Sequence, residues 1–460
     1  MVHNSLKGSF SVRSIGAVFV RKSLSLECWF LLLVAVLMGS SSAFAQTDIF
    51  IKGAGRKIPI AVPQLCLQAG VSGNPEVNPN KDIPRIIGRD LDLSGYFDVL
   101  DPGGYIETAG KCGASDQFAY SDWSVIRAEG LVRGQVTMEG PRMKVQMFLH
   151  DVQRQKVLLG KEYEGDLTQV PIIAHRFANE VYKMFTGEPG IFGTQIAYSS
   201  KVGRFRELFV MDMDGSNIRQ LTSDRALAIS PSWDPLGQSL AFTSYRSRVP
   251  ELFLLNIERR ALQQVTRGSA MEIGAEFTKD GSGLLTSISS EGQSQIALLN
   301  LDGTIRRSIT PRTRAIDVSP SWSPDQQRIA FCSNRGGGPQ IYTMGADGSA
   351  VKRVSFVNSN HCTSPAWSQR GDRLAFVCRS DGGFNVFVSD IDGANPLQLT
   401  SAGDNEDPDW APNGRFLAFS TTFGRGYVKS IALMRDDGSN IRRLTTARIG
   451  DMEPRWGPLP

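Results

Sequence analysis

SPSWSPDQQRIAFCSN, residues 319–334, has the outline of a hairpin. Ser321 and Trp322 close a short strand, Pro324 and Asp325 supply a turn, and Arg328–Cys332 alternate along a second strand. The same outline returns as SPSWDPLGQSLAFTSY from Ser230, SPAWSQRGDRLAFVCR from Ser364 and DPDWAPNGRFLAFSTT from Asp407. Weaker copies are GAEFTKDGSGLLTSIS from Gly274 and the half-copy EPRWGP from Glu453. The anchor aromatics Trp233, Phe277, Trp322, Trp367, Trp410 and Trp456 recur every 43–46 residues. Two further markers keep this step. One is an apolar-Thr/Ser pair (Leu221-Thr222, Val265-Thr266, Ile309-Thr310, Val354-Ser355, Leu399-Thr400, Leu444-Thr445). The other is a strand at Ile196, Leu240, Leu284, Ile329, Leu374 and Leu417. A period of about 40–45 residues with four short strands per unit is the signature of a β-propeller blade.

Asp-Gly pairs at Asp214, Asp302, Asp347, Asp392 and Asp437 fall between the third and fourth strands, where tight hairpin turns favour them. The array starts on an IAY strand and stops just after Trp456, so its first and last units complete each other. The predicted architecture is an α/β N-terminal domain followed by an all-β six-bladed propeller at 189–460, closed by the C-terminal strand. Closure removes open sheet edges.

Ahead of the array, residues 1–45 carry Lys7, Arg13, Arg21 and Lys22, an apolar run CWFLLLVAVLM from Cys28, and AFA at Ala43–Ala45. This is the pattern of a secretory signal peptide, and its apolar core is too short to span a bilayer comfortably. Losing it removes four Lys/Arg and Glu27, which takes the formal charge from +4 to +1 and gives no support to nucleic-acid binding. Export would expose five cysteines to an oxidising compartment. Cys66 and Cys112 can pair, for about 4 kcal/mol of chain entropy. Cys362 and Cys378 sit opposite each other on one repeat hairpin, which would leave Cys332 free and buried. The alternative is that some of the five are small apolar core residues.

Residues 46–57 begin with a β-prone DIFI, either a first strand or a segment offered to a partner; sequence physics alone favours the first. Residues 58–188 lack the period. Helical spacing runs from Lys81 to a terminal Gly95, and again from near Thr168 to Gly187, with strands at YFDVLD, VIRAEGLVRGQVTM and RMKVQMFLHDV. TGEPGIFGT links this domain to the propeller.

Catalytic signatures are missing. His150 and His175 read as structural, His361 precedes a repeat hairpin, and no two histidines have metal-ligand spacing. There is no G-x-S-x-G elbow and no phosphate-binding glycine pattern. MDMDGSN from Met211 and SDIDGAN from Ser389 fall at predicted turns and lack the distal Glu of a calcium loop. What varies between units is the segment before each anchor strand, which gathers at one mouth of the channel. Met271, Glu272, Asp317, Val318, His361, Asn405, Glu406, Asp451 and Glu453 are the expected rim. Five carboxylates among them predict an acidic mouth.

The export signal, the small α/β domain with DIFIKGAGRKIPIAVP and DLDLSGYFDVLDP, and six PSWSPD-type blades together resemble the TolB family, periplasmic propellers of the Tol–Pal system. The resemblance covers essentially the whole chain after residue 45. It implies a non-catalytic, cofactor-free, monomeric periplasmic adaptor supporting outer-membrane integrity and constriction at cell division. It implies that the Pal lipoprotein binds at the propeller rim, chiefly at the loops before Phe277 and Trp322. It also implies that the C-terminal domain of TolA takes the segment Gln46, Thr47, Asp48, Ile49, Phe50, Ile51 and Lys52 as an added strand. The competing expectations are an exported propeller lyase or glycosidase using Glu272 and Glu406, or a carbohydrate-binding protein using the acidic rim.

Overall fold

The computed structural model describes residues 56–67, 77–106, 118–268, 270–380, 382–423, 428–446 and 450–460. The expected leader at 1–45 and the expected partner-binding segment Gln46–Lys52 lie outside these. The N-terminal domain is a mixed sheet of β1 (Ile58–Ala61), β2 (Cys66–Leu67), β3 (Phe97–Val99), β4 (Gly130–Glu139), β5 (Arg142–Asp151) and β6 (Lys156–Asp166). The spatial order is β3-β1-β4-β5-β6, with β2 also paired to β4. Helix α1 (Pro79–Ser94) starts two residues before the expected Lys81, because Pro79 is well suited to the first helical turn. Pro84 inside α1 frees the carbonyl of Asn80, which accepts instead from the amide of Leu65 at 2.9 Å. Gly95 ends the helix at φ +72°.

The strand expected from Val125 is a short helix there, α2 (Tyr120–Val125), and β4 starts only at Gly130 after a turn with Arg127 at φ +62°. Helix α3 (Val170–Thr186) also starts later than Thr168. Asp166 and Gln169 form a capping box around a 3-10 turn, and Pro171 follows in the first turn of α3. The segment read as a linker is packed: Ile191 and Phe192 are buried, and Asn179 of α3 bonds both the amide and the carbonyl of Phe192.

Six four-stranded antiparallel sheets follow among the described residues. Blade 1 combines Gln195–Val202, Phe205–Asp212 and Arg219–Gln220 with the C-terminal strand Asp451–Trp456 as its innermost member. Asp451 pairs with Ser200 and Trp456 with Ile196. Blades 2 to 6 have inner strands Ala228–Trp233, Met271–Phe277, Asp317–Trp322, Cys362–Trp367 and Asn405–Trp410. The anchor aromatic closes every inner strand.

The other markers acquire causes. The hydroxyls of Thr222, Thr266, Thr310, Ser355, Thr400 and Thr445 each accept from one amide of the third strand, that of Leu208, Leu252, Ile296, Ile341, Val386 or Ile431, at 2.9–3.0 Å. They satisfy donors that the short fourth strands do not reach. Every inner strand carries a bulge whose residue has positive φ: Ser230, Gly274, Ser319, Ser364, Asp407 and Glu453. Phe242, Phe331 and Phe376 are fully buried and pack across the sheet on Phe253, Tyr342 and Phe387, at 5.9–6.1 Å between ring centres.

The two domains share one core. Phe97, Phe177, Tyr182 and Phe185 belong to the same buried cluster as Ile196, Met211, Phe416, Ile431, Leu433 and Trp456. Polar contacts frame it. Glu188 accepts from Arg370 and Arg415, Asn413 donates to the carbonyl of Pro189, Asn440 donates to that of Leu93, and Arg89 pairs with Asp214. The cross-strand disulfide Cys362–Cys378 is formed, with 4.1 Å between Cα atoms, and Cys332 is free and buried. Cys66 is disulfide-bonded, and Cys112 lies outside the described residues. No helix among the described residues is long and apolar enough to cross a membrane.

Candidate functional site

Strand alternation sends the turns after the first and third strands of each blade to one face, and the connections after the second and fourth strands to the other. The N-terminal domain sits on the first face. Its partners Arg370, Arg415, Asn413, Asp214 and Asn440 all belong to such turns, in blades 5, 6 and 1. The face that carries the connections between blades is left open by these contacts.

The expected rim residues divide on that open face. Met271 projects, 46% exposed. Asp317, Asn405 and Asp451 do not: each is the first residue of its inner strand and at most 5% exposed. Asp317 takes a two-point bond from Arg335 at 2.9 and 3.0 Å. Asn405 accepts from Thr421 and donates to the carbonyls of Ala402 and Phe384. Asp451 accepts from Ser200 at 2.6 Å. Cys362 of the disulfide occupies the same position in blade 5, so this position serves to lock the first strand to the second. Glu272 is buried against Thr266, and Val318 packs on the core between blades 4 and 5. His361 lies edge-on to Phe384, with 5.6 Å between ring centres, and Glu406 pairs with Lys429 at 2.7 Å. The acidic mouth expected from composition is therefore corrected: Glu272, Asp317 and Asp451 are buried, and the partly exposed Glu406 is neutralised by Lys429. Glu272 in blade 3 and Glu406 in blade 6 stand in opposite blades, one bonded to Thr266 and the other paired with Lys429.

Glu453 lies deeper, at the bulge of the C-terminal strand. It accepts from the amide of Ser230 at 2.5 Å, while its own amide donates to Asp407 at 3.3 Å. Enclosure pushes its carboxyl up to about 7, and the neighbouring charge of Asp407 acts in the same direction. A raised carboxyl favours the folded state while protonated. That contribution is full below the ordinary value of 4.5 and is lost as pH rises through about 7. Glu453→Gln is expected to melt with wild type at pH 5 and to be more stable at pH 8, by on the order of 1–3 kcal/mol. Equal urea midpoints for the two proteins at pH 8 would refute this placement of the charge.

The opposite mouth holds a cavity of about 460 Å³ walled by the anchor aromatics. At its inner end Arg455 of blade 1 pairs with Asp409 of blade 6 at 3.1 Å and faces the charge of Glu276 from blade 3. Enclosure raises both carboxyls, and Arg455 opposes the rise. Their amide partners are Trp322 for Glu276 and Trp456 for Asp409. These three charges were missed in the sequence although the signal was there. The residue before each anchor aromatic is Ser232, Glu276, Ser321, Ala366, Asp409 and Arg455, and half of these are charged.

The architecture is an α/β domain docked on one face of a closed six-bladed propeller, with the other face open among the described residues. Residues 48–158 match a family model described as the TolB amino-terminal domain, and residues 182–460 one described as the TolB beta propeller domain. The chain belongs to the TolB family. It is 34% identical over 209 residues to the Tol-Pal system protein TolB of Syntrophotalea carbinolica, covering 45% of this chain and 48% of that protein. It is 37% identical over 209 residues to that of Methylobacillus flagellatus, covering 45% and 46%. In these matches the chain spans about half the length of the curated relatives. The fold is also that of the crystal structure of TolB from Acinetobacter baumannii, with a TM-score of 0.75, 24% identity, and coverage of 89% of this chain and 98% of that one.

Proposed function

We propose that this protein is a non-catalytic periplasmic adaptor of a Tol–Pal system. It links the C-terminal domain of a TolA-like inner-membrane protein to the Pal lipoprotein, and so supports outer-membrane integrity and constriction during division. The open propeller face, in a chain of the TolB family, is the observation that carries this reading. Pal docks on that face around Met271. TolA takes Gln46–Lys52 as an extra strand, for which main-chain hydrogen bonds supply the affinity. The leader at 1–45 delivers the chain to the periplasm, where it acts as a monomer.

Affinity capture from envelope extracts tests the adaptor. Full-length protein should retain both Pal and TolA, and deletion of residues 46–57 should lose TolA while keeping Pal. Recovery of neither partner, alongside hydrolytic or lyase turnover abolished by Glu272→Gln, would overturn it.

A further inference from the structure

We infer that the open face recognises its protein partner through an arginine-rimmed apolar patch across blades 2 to 4, so that the partner's docking surface is acidic. This rests on the adaptor reading above. Arg225, Arg248, Arg267, Arg312 and Arg314 are all exposed in the connections of these blades. Among the described residues none of the five has a carboxylate within ion-pair distance. Arg246 and Arg335 are held in place by Asp224 and Asp317. In the same connections Glu291 is the exposed acid without an ion pair, since Glu272 and Asp317 are buried.

Hydrogen bonds stitch these loops into one surface. The amide of Tyr245 donates to Leu227, that of Glu272 to Pro250, the hydroxyl of Ser294 in blade 3 to the carbonyl of Asp317 in blade 4, and the amide of Ile316 to the side chain of Asn334. Between the arginines stand Leu227, Met271, Ile273 and Ile316, each 39–47% exposed. An apolar centre with a charged rim is the anatomy of a protein interface. Guanidinium groups favour carboxylates, which they bind by two parallel hydrogen bonds, and arginine is enriched at such sites. A rim of one sign speeds encounter with an oppositely charged partner and makes binding fall with salt. An anionic lipid surface would draw on the same charge, but the apolar side chains are grouped at the centre of a fixed mouth. That arrangement favours a folded partner.

The test uses the exported chain and the lipid-free Pal domain of the same organism. Arg248→Glu with Arg314→Glu should weaken Pal binding by roughly 10-fold or more, and salt from 50 to 300 mM should weaken wild type but hardly affect the double variant. Its thermal midpoint should stay with wild type, since among the described residues neither side chain has a carboxylate partner to lose. Pal binding unchanged by the reversal would overturn the acidic-partner inference and leave the adaptor reading standing. Failure of wild type to bind Pal would overturn both. Co-sedimentation with phosphatidylglycerol vesicles that depends on these arginines, with Pal binding indifferent to them, would assign the patch to lipid and reject a protein partner.

Discussion

Removing Asp451–Pro460 is expected to abolish the cooperative thermal transition of the propeller. The segment supplies the innermost strand of blade 1, so its loss opens the edge Ile196–Ser200 along its whole length. It takes away Trp456, 7% exposed, packed in the core shared by the two domains, and bonded through its indole N–H to Thr194 at 2.8 Å. Deleting one buried Trp side chain costs about 3–5 kcal/mol. Strand pairing and closure come on top, against a total of about 5–15 kcal/mol for a typical domain. Scanning calorimetry should show the transition lost or shifted far down. A truncated protein that melts with full length would mean that closure does not hold the ring.

Arg455→Met is expected to destabilise the protein by about 2–3 kcal/mol, between the values for exposed and fully buried ion pairs. The discount from a fully buried pair follows from the side chain itself, 32% open to the cavity. Without the guanidinium, Asp409 and Glu276 are enclosed like charges. The deficit should therefore grow from pH 5 to pH 8, because carboxyls with raised values lose their stabilising protonated form as pH rises. Adding Asp409→Asn and Glu276→Gln should restore much of the loss, since an uncharged trio leaves nothing to desolvate. Urea midpoints of the single and triple variants measure this; a triple variant as weak as the single one would show that Arg455 acts through packing instead.

The fold was legible because its parts repeat. One hairpin counted the blades, and each marker proved to answer a backbone need: the Thr/Ser hydroxyl takes an amide that a two- to four-residue fourth strand leaves over, and in five of the six blades the residue before Pro makes the bulge. The rim was less legible for a reason of register. Asp317 and Asp451 fall just before the anchor motif, where a one-residue change of register swaps channel-facing for blade-facing, and periodicity there does not choose. The structure turns Asp451 to Ser200 of the second strand and Asp317 to Arg335 just beyond it. The acidic forecast failed in the same way. Composition counts carboxylates without saying which are already bonded, whereas the arginines that reach solvent are scattered over separate loops and are gathered only by the ring. Helix starts slipped by two residues for local causes, Pro79 in α1 and the Asp166 capping box before α3.

The adaptor is tested most directly by photocrosslinking in cells, with a benzoylphenylalanine at position 271 on the open face or at position 50 in the N-terminal segment. Position 271 should yield an adduct with Pal and position 50 an adduct with TolA. Adducts with neither protein, or with unrelated envelope proteins at both positions, would contradict the account.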